Sequence, residues 1–584
     1  MQCIRNGQIL LVITLGMPFA AWAQGGRAGR AAAAQQGAPP ATAAGTPAAA
    51  AGTPAGTPAP VAGRGGRGGA GAVASTSEFY NYDTTAGSGS SIPDSPPTET
   101  HQKITVNGEA LAYTARVGYI ALRNATTGQS EAHVFYTCYA KDGVSDSTVR
   151  PVLFFMGGAP GVAATWQEFG GLGPKRMKWS NDGTAGMPPY AWVDNPNTLL
   201  GEADLVFVNP VGTAFSRPDQ PSRGPTFWNT AADIASLAEF VRSFINTNNR
   251  RNSPLFLAGE DSGTGRVAGL AAYLTEHDIP VSGVVLLSMT AAADALAGDE
   301  QYITLLPSLI MSSWYNKKLA PELNAMSAEQ ISGQARLFAS REYLHALYKG
   351  DRMTPEERTK VVAAMSRLTG LSKAFIVNND LRITVERFNT ELLHDQHRGL
   401  SNSDARVTGF IPAVAGGRGG GGGGGFGGPV SAIDFNLSNL AGGFQTAYET
   451  YLKRELTFSA NSGGSVGNIV NGNPSMYGIF YLSGGGIGTF TSTGNDDASL
   501  SGAFVRNPNL RLFVGVSYYD LNAPFYAIEF TLAHLNVSPE VRAHNITVSH
   551  FEAGQMAYVD NKALAKLHGD LVRFVNEATA PARK

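Results

Sequence analysis

Leu255-Phe256-Leu257-Ala258-Gly259-Glu260-Asp261-Ser262-Gly263 reads as a strand, a glycine-flanked turn and the start of a helix. The first four residues form a short apolar run, and from Val267 the pattern becomes helical. A strand that gives way to a helix within so few residues needs a sharp turn. Flanking glycines leave room for a central residue held in a strained conformation, which is how a strand end can present a nucleophile. That use of the turn asks for Gly-x-Ser-x-Gly. Here the centre is Asp261, and the serine comes one place late as Ser262.

The surrounding sequence repeats the theme of buried strands feeding tight turns. Residues 152–156 lead into Gly157-Gly158-Ala159-Pro160-Gly161, residues 203–208 lead into Asn209-Pro210-Val211-Gly212, and 284–287 form another short run. Between them, Ile234, Leu237, Val241, Phe244 and Ile245 share one face of a helix predicted over 230–247. Strands alternating with helices predict an α/β fold with a mostly parallel, doubly wound sheet. Upstream, residues 111–122 and 133–140 alternate like antiparallel strands. The pattern turns helical and irregular from about 295 to 480. Strand-like runs return at 511–516 and 546–550, followed by a helix from Asn561 to about Asn576. The expected organisation is a first core part over 77–294, an inserted helical cap over 295–500 and a second core part over 501–584.

The 584-residue chain has a formal net charge of −2, so no strong field favours nucleic acid or an anionic membrane. Arg5, the apolar run from Ile9 to Phe19 and the small-x-small site Ala21-Trp22-Ala23 predict a signal peptide over 1–23, with Gln24 as the new N-terminus. The run is too short to span a bilayer. The protein is therefore expected to be secreted or periplasmic, without membrane insertion after cleavage. Residues 24–76 are rich in Ala, Gly and Pro and nearly free of large apolar side chains, which predicts a disordered tether. Residues 416–428 are nearly all Gly and predict a flexible surface loop. Of the two cysteines, Cys3 lies in the signal, so Cys138 is expected as a lone buried thiol.

A series of ordered segments accompanies the turn. Phe155-Met156-Gly157-Gly158-Ala159-Pro160-Gly161, Leu172-Gly173-Pro174, Trp192-x-x-Asn195-Pro196-Asn197 and Asn209-Pro210-Val211-Gly212-Thr213-Ala214-Phe215-Ser216 precede Leu257-Ala258-Gly259-Glu260. Asn379-Asp380-Leu381-Arg382-Ile383, Asp404-Ala405-Arg406-Val407-Thr408-Gly409, Tyr518-Tyr519-Asp520-Leu521-Asn522-Ala523-Pro524-Phe525 and Phe551-Glu552-Ala553-Gly554-Gln555-Met556-Ala557-Tyr558 follow. Together they resemble the serine carboxypeptidase family, particularly its bacterial members, over roughly residues 100–580. The resemblance implies an α/β-hydrolase fold and a Ser-His-Asp site. On that alignment the nucleophile falls on Asp261, the base on Gln555 and the acid on Asp520. The asparagine that helps bind the substrate carboxylate falls on Met156, and the glycine turn with Gly157 and Gly158, which should supply the oxyanion amide, is one residue longer. Glu260 matches the family's glutamate.

These replacements remove chemistry. A serine peptidase needs a hydroxyl to attack and an imidazole to take its proton. A Gln amide cannot accept and return a proton near neutral pH. An Asp carboxylate can attack an sp³ carbon, but release of the resulting ester still needs a base. The expectation is an exported serine carboxypeptidase-like protein without peptidase turnover. The rivals are an active carboxypeptidase or other hydrolase using Ser262 or Asp261, and a binding or scaffold protein that keeps the cleft for a peptide or small molecule. No metal and no cofactor are called for. Within the remnant site, the Gln555 amide is expected to bridge Asp261 and Asp520, or at least to hydrogen-bond Asp520. Asp261 alternatively turns to solvent or caps the following helix.

Overall fold

A computed structural model describes residues 92, 94–157, 163–179, 186–227, 229–290, 292, 296–411, 434–458 and 496–580. The expected signal peptide, the 24–76 tract, the 416–428 loop and Gly158 lie outside the described residues.

Nine strands form the main path of one sheet: β1 (Thr98–Val106), β2 (Glu109–Arg123), β3 (Ser130–Lys141), β4 (Val152–Met156), β5 (Asp204–Val208), β6 (Leu255–Glu260), β7 (Gly283–Leu287), β8 (Arg511–Ser517) and β9 (Ile546–Phe551). Their spatial order is β1-β2-β3-β5-β4-β6-β7-β8-β9, with the short pair Arg217–Pro218 added beside β3. The pairs from β1 to β3, and β3 with β5, are antiparallel. From β5 to β9 every pair is parallel. This is the α/β-hydrolase arrangement, a mostly parallel sheet with its chemistry expected at the C-terminal strand ends.

The central strands are apolar throughout because both faces are covered. Val152, Phe154 and Met156 of β4 join one core cluster, while Leu153 and Phe155 join the other. Helices α1 (Thr230–Thr247) and α2 (Gly263–Glu276) cover the first face. Asn229 starts α1 by accepting a hydrogen bond from the Ala232 amide. Strand β1 was not anticipated as a strand. It is an edge strand of mostly polar residues in which Ile104 alone is buried, so it lacks the apolar signal that marked the others.

Helices α3 (Glu300–Tyr315), α4 (Ala328–Phe338) and α5 (Pro355–Thr369) extend the first core with Leu309, Ile331 and Met365. Their ends are written locally: Ser327 with Gln330 and Thr354 with Glu357 form capping boxes, and Gly370 ends α5 in a left-handed conformation. The segment is divided between the two faces. Helix α6 (Phe435–Arg454) packs in the second core, where Phe444 stacks on Trp166 at 4.0 Å between ring centroids. Helix α7 (Asp496–Arg506) packs on α2, so the boundary expected at 500/501 falls inside a helix of the sheet's own layer. Helices α8 (Phe525–His534) and α9 (Asn561–Thr579) follow β8 and β9.

Beneath α6, Glu168 is buried and accepts hydrogen bonds from Tyr139 Oη at 2.6 Å and Tyr448 Oη at 3.0 Å. Burial pushes its carboxyl up to about 7, although the tyrosine hydrogen bonds oppose the shift. Cys138 is buried in β3, and desolvation raises its thiol to about 12, which makes it inert at neutral pH. Among the described residues, no helix is long and apolar enough to cross a membrane.

Docking of α6 depends on its aromatic stack. Phe444→Ala is expected to lower unfolding free energy by about 3–5 kcal/mol, the usual cost of deleting a buried phenyl ring. Denaturant titration followed by tryptophan fluorescence measures it.

Candidate functional site

Strand β6 delivers Asp261 to the tip of its turn with φ 55°, and α2 begins two residues later. The turn closes only because Gly259 has no side chain. A Cβ there would lie 2.4 Å from the Gly263 carbonyl oxygen and 2.8 Å from Val267 Cγ2. The Asp261 amide donates to Leu287 O at 3.0 Å, and the Asp261 carbonyl accepts from Thr264 N at 3.0 Å and Thr264 Oγ1 at 2.6 Å. The peptide units on both sides of Asp261 are thus pinned, and the residue is half-buried. Ser262 sits in a right-handed conformation at the start of α2, and its hydroxyl makes no capping hydrogen bond.

Asp520, just past the end of β8, is fully buried. Its Oδ1 accepts from the amides of Asn522 at 3.0 Å and Ala523 at 3.1 Å, and its Oδ2 accepts from Ser288 Oγ. Gln555 is not among its donors. The expected bridge is absent: the Gln555 Oε1 atom accepts from Asn522 Nδ2 at 3.3 Å. Ser288 takes that role, and sequence reasoning missed it. It lies directly after β7 with φ 51°, in a strand-end position that only the fold brings beside Asp520.

Burial pushes the Asp520 carboxyl up to about 7, opposed by the Ser288 and backbone hydrogen bonds and reinforced by the negative charge of Asp261. Glu260 is raised to about 8, again chiefly by burial, with Asp261 and Asp520 adding to it. Its Oε2 accepts from Tyr558 Oη at 2.7 Å, while Oε1 is buried without a partner. His550, the nearest histidine in sequence to Gln555, is engaged elsewhere: its Nε2 meets Glu529 Oε1 at 2.5 Å and Arg336 Nη2 at 3.2 Å. Among the described residues, no group of three or more His, Cys, Asp and Glu side chains is placed to hold a metal ion.

Residues 106–367 match the family model of the serine carboxypeptidases. Over that stretch the chain is similar to the serine carboxypeptidases. The matched stretch contains the elbow and ends before Asp520 and Gln555, which are placed instead by the ends of β8 and β9. Similar solved structures include a prohormone-processing carboxypeptidase from Saccharomyces cerevisiae, at 12% identity and a TM-score of 0.47, covering 79% of this chain and 91% of that one. A peroxisomal α/β-hydrolase from the same yeast has 9% identity and a TM-score of 0.31, covering 81% and 91%. A juvenile hormone epoxide hydrolase from the silkworm Bombyx mori has 11% identity and a TM-score of 0.26, covering 80% and 79%. A search of curated proteins finds no match.

Two more features mark this site. Met156, at the position expected to contact a substrate, is fully buried in the first core and offers a ligand nothing. The Gly157 carbonyl accepts from Arg266 Nη1 at 2.5 Å, and Arg266 Nε also donates to buried Asp233 at 2.6 Å. This ion pair joins α1, α2 and the first residue of the glycine turn, and it was not read from the sequence. Tyr558 packs closely on a glycine pair: a Cβ on Gly170 would fall 2.7 Å from its ring, and one on Gly171 2.6 Å from its carbonyl oxygen.

Gly259→Ala should cost about 1–3 kcal/mol in unfolding free energy, through overpacking against the α2 backbone. Raised carboxyls also set a direction for pH. Glu168, Glu260 and Asp520 bind protons more tightly folded, at about 7, 8 and 7, than unfolded, near 4. Their contribution is fully present below the unfolded value and is lost as pH rises through the folded ones. The melting temperature is expected to fall between about pH 5 and 8, and Glu168→Gln should flatten that slope. A wild-type melting temperature that rises across this range would contradict the assignment.

Proposed function

We propose that this chain is an exported serine carboxypeptidase-like protein that does not turn over peptides, and that its elbow survives as a ligand-facing cleft. One observation carries the reading: the buried Asp520 is hydrogen-bonded by the Ser288 hydroxyl and two backbone amides, with no imidazole among its donors. A Ser-His-Asp mechanism needs that imidazole between acid and nucleophile, both to take a proton and to return it. Asp261 at the turn and Gln555 after β9 support the same conclusion independently. Ser262 supplies a hydroxyl beside the turn, but no base is assigned to it. Exposure of Asn522 and partial exposure of Asp261, Ser262 and Gln555 support access by a peptide or small molecule from solvent.

Purified protein is expected to release no C-terminal residue from N-blocked dipeptides, and intact mass after incubation with an active-site phosphonate should be unchanged. Turnover on the order of 1 per second, or labelling of Ser262, would overturn the reading. The double variant Asp261→Ser with Gln555→His should recover little activity, because Met156 still lies in the core where a carboxylate-binding side chain is needed. Assay of that variant on the same dipeptides, with its folding verified by circular dichroism, decides the point.

A further inference from the structure

We propose that the chain forms a two-fold symmetric dimer in which β9 pairs antiparallel with β9 of a second copy, centred on Val548, so that two sheets become one. The surface belongs to the last strand of the sheet and to α9, and it is independent of the chemistry at the elbow.

Four observations carry it. First, β9 is an edge strand. It pairs with β8 on one side, and among the described residues no strand follows it in the sheet. The Leu512 amide donates to Asn545 O and the Tyr518 amide to Phe551 O, so the odd-numbered residues of β9 face β8. Alternation along the strand then turns the backbone N–H and C=O groups of Ile546, Val548 and His550 outward. Second, nothing blunts this edge. Ile546–Phe551 holds no Lys, Pro, Asp or Glu, its register with β8 is unbroken, and Val548 is 37% exposed. The opposite edge is protected: β1 exposes Glu99, His101 and Lys103, and its Thr105 amide donates to Asp194 Oδ2 at 2.9 Å.

Third, a cleft of about 220 Å³ opens between β9 and α9, lined by Val548 and Ser549 on the strand and by Lys566, Asp570, Arg573 and Glu577 on the helix. Fourth, those helix residues carry a charge pattern that fits a second copy. They lie on one helical face, at spacings of four, three and four residues, and their charges alternate in sign. Read in reverse, the row is complementary to itself: Lys566 meets Glu577 of the second copy, and Asp570 meets its Arg573. Within one copy the row is unevenly satisfied. Asp570 accepts from Lys566 Nζ and Ser549 Oγ, each at 2.6 Å, whereas Arg573 comes only to 3.7 Å and its side chain is 69% exposed. Glu577 is exposed as well. One two-fold axis through Val548 serves strand and helix together. It sets Ile546 opposite His550 of the second copy and Thr547 opposite Ser549, with Val548 facing itself. All three outward-facing residues then exchange hydrogen bonds, as a self-complementary interface requires. The rotation that reverses β9 against its copy also reverses α9, and the alternating charges fix the register.

Sedimentation velocity of the purified full chain at micromolar concentration should give twice the mass of one chain. Val548→Lys places two ammonium groups at the axis, and Arg573→Glu sets like charges opposite Asp570. Each should weaken association by about tenfold or more, with an unchanged far-ultraviolet circular dichroism spectrum. A third variant reads the register directly. Cα atoms of an opposed, hydrogen-bonded pair lie about 5.5 Å apart, within disulfide reach. Val548→Cys should therefore cross-link to its own copy under mild copper–phenanthroline oxidation, and much faster than Lys103→Cys on the other edge. Cys138 is buried and stays out of the reaction. A wild-type chain that remains monomeric throughout the micromolar range would overturn the proposal. So would a dimer that both charge substitutions leave intact, or a Val548→Cys variant that cross-links no faster than Lys103→Cys.

Discussion

Contact between Gly259 and the Gly263 carbonyl sets the position of everything else at the strand ends. With no Cβ at Gly259, the first turn of α2 can sit directly on the end of β6, and Asp261 is driven into its left-handed conformation. The same approach fixes the register of α2. Arg266, on its first turn, then reaches both Asp233 on α1 and the carbonyl of Gly157 after β4. A guanidinium that is only 1% exposed is tolerable because a carboxylate and a carbonyl share its donors. One steric allowance therefore aligns two helices, the elbow and the start of the glycine turn.

Asp261, Asp520 and Glu260 crowd this arrangement, and the hydrogen-bond donors to the two buried acids are neutral. Asp520 meets the Ser288 hydroxyl and two backbone amides, and Glu260 meets the Tyr558 hydroxyl through one oxygen while the other has no hydrogen-bond partner. Neutral donors weaken the cost of burying a carboxylate without removing it, so both acids remain shifted towards their protonated forms. Glu168, held by two tyrosines in the other core, follows the same logic. In all three, burial outweighs the donors and favours the neutral carboxyl.

Much of the fold was legible in the sequence because parallel central strands are buried on both faces and must be apolar throughout. Residues 152–156 and 230–247 coincide with β4 and α1, and the runs at 203–208, 255–258, 284–287, 511–516 and 546–550 each fall within two residues of a strand. The edge strand β1 escaped because an exposed edge carries little apolar signal. Division of the 295–500 segment between two faces escaped because helical periodicity reports that a face is buried, not against what. At the site, Asp261, Asp520, Gln555 and Glu260 were reached by motif. The roles of Ser288, Tyr558 and the Arg266–Asp233 pair were not, since each acts through a partner at least 30 residues away. Gln555 was placed correctly after β9, but its hydrogen bonding was misjudged. The error lay in assuming that a replacement inherits its predecessor's partner.

That assumption also bears on what the presence of Asp520 means. In a catalytic triad the aspartate is there to orient an imidazole, and its presence is naturally taken as a trace of catalysis. Here its donors make a different case. Two of them, the amides of Asn522 and Ala523, lie two and three residues ahead, so Asp520 closes the turn that leads into α8 at Phe525. The third, Ser288, ties that turn to the end of β7. Losing the carboxylate would leave the Ala523 amide and the Ser288 hydroxyl buried without this acceptor, at about 1–3 kcal/mol for each. Those contacts are sufficient reason for an aspartate at this position even where no proton is ever relayed. Asp520 is therefore explained by the folding of its own loop, and the chemistry of the site has to be judged on Asp261 and Gln555.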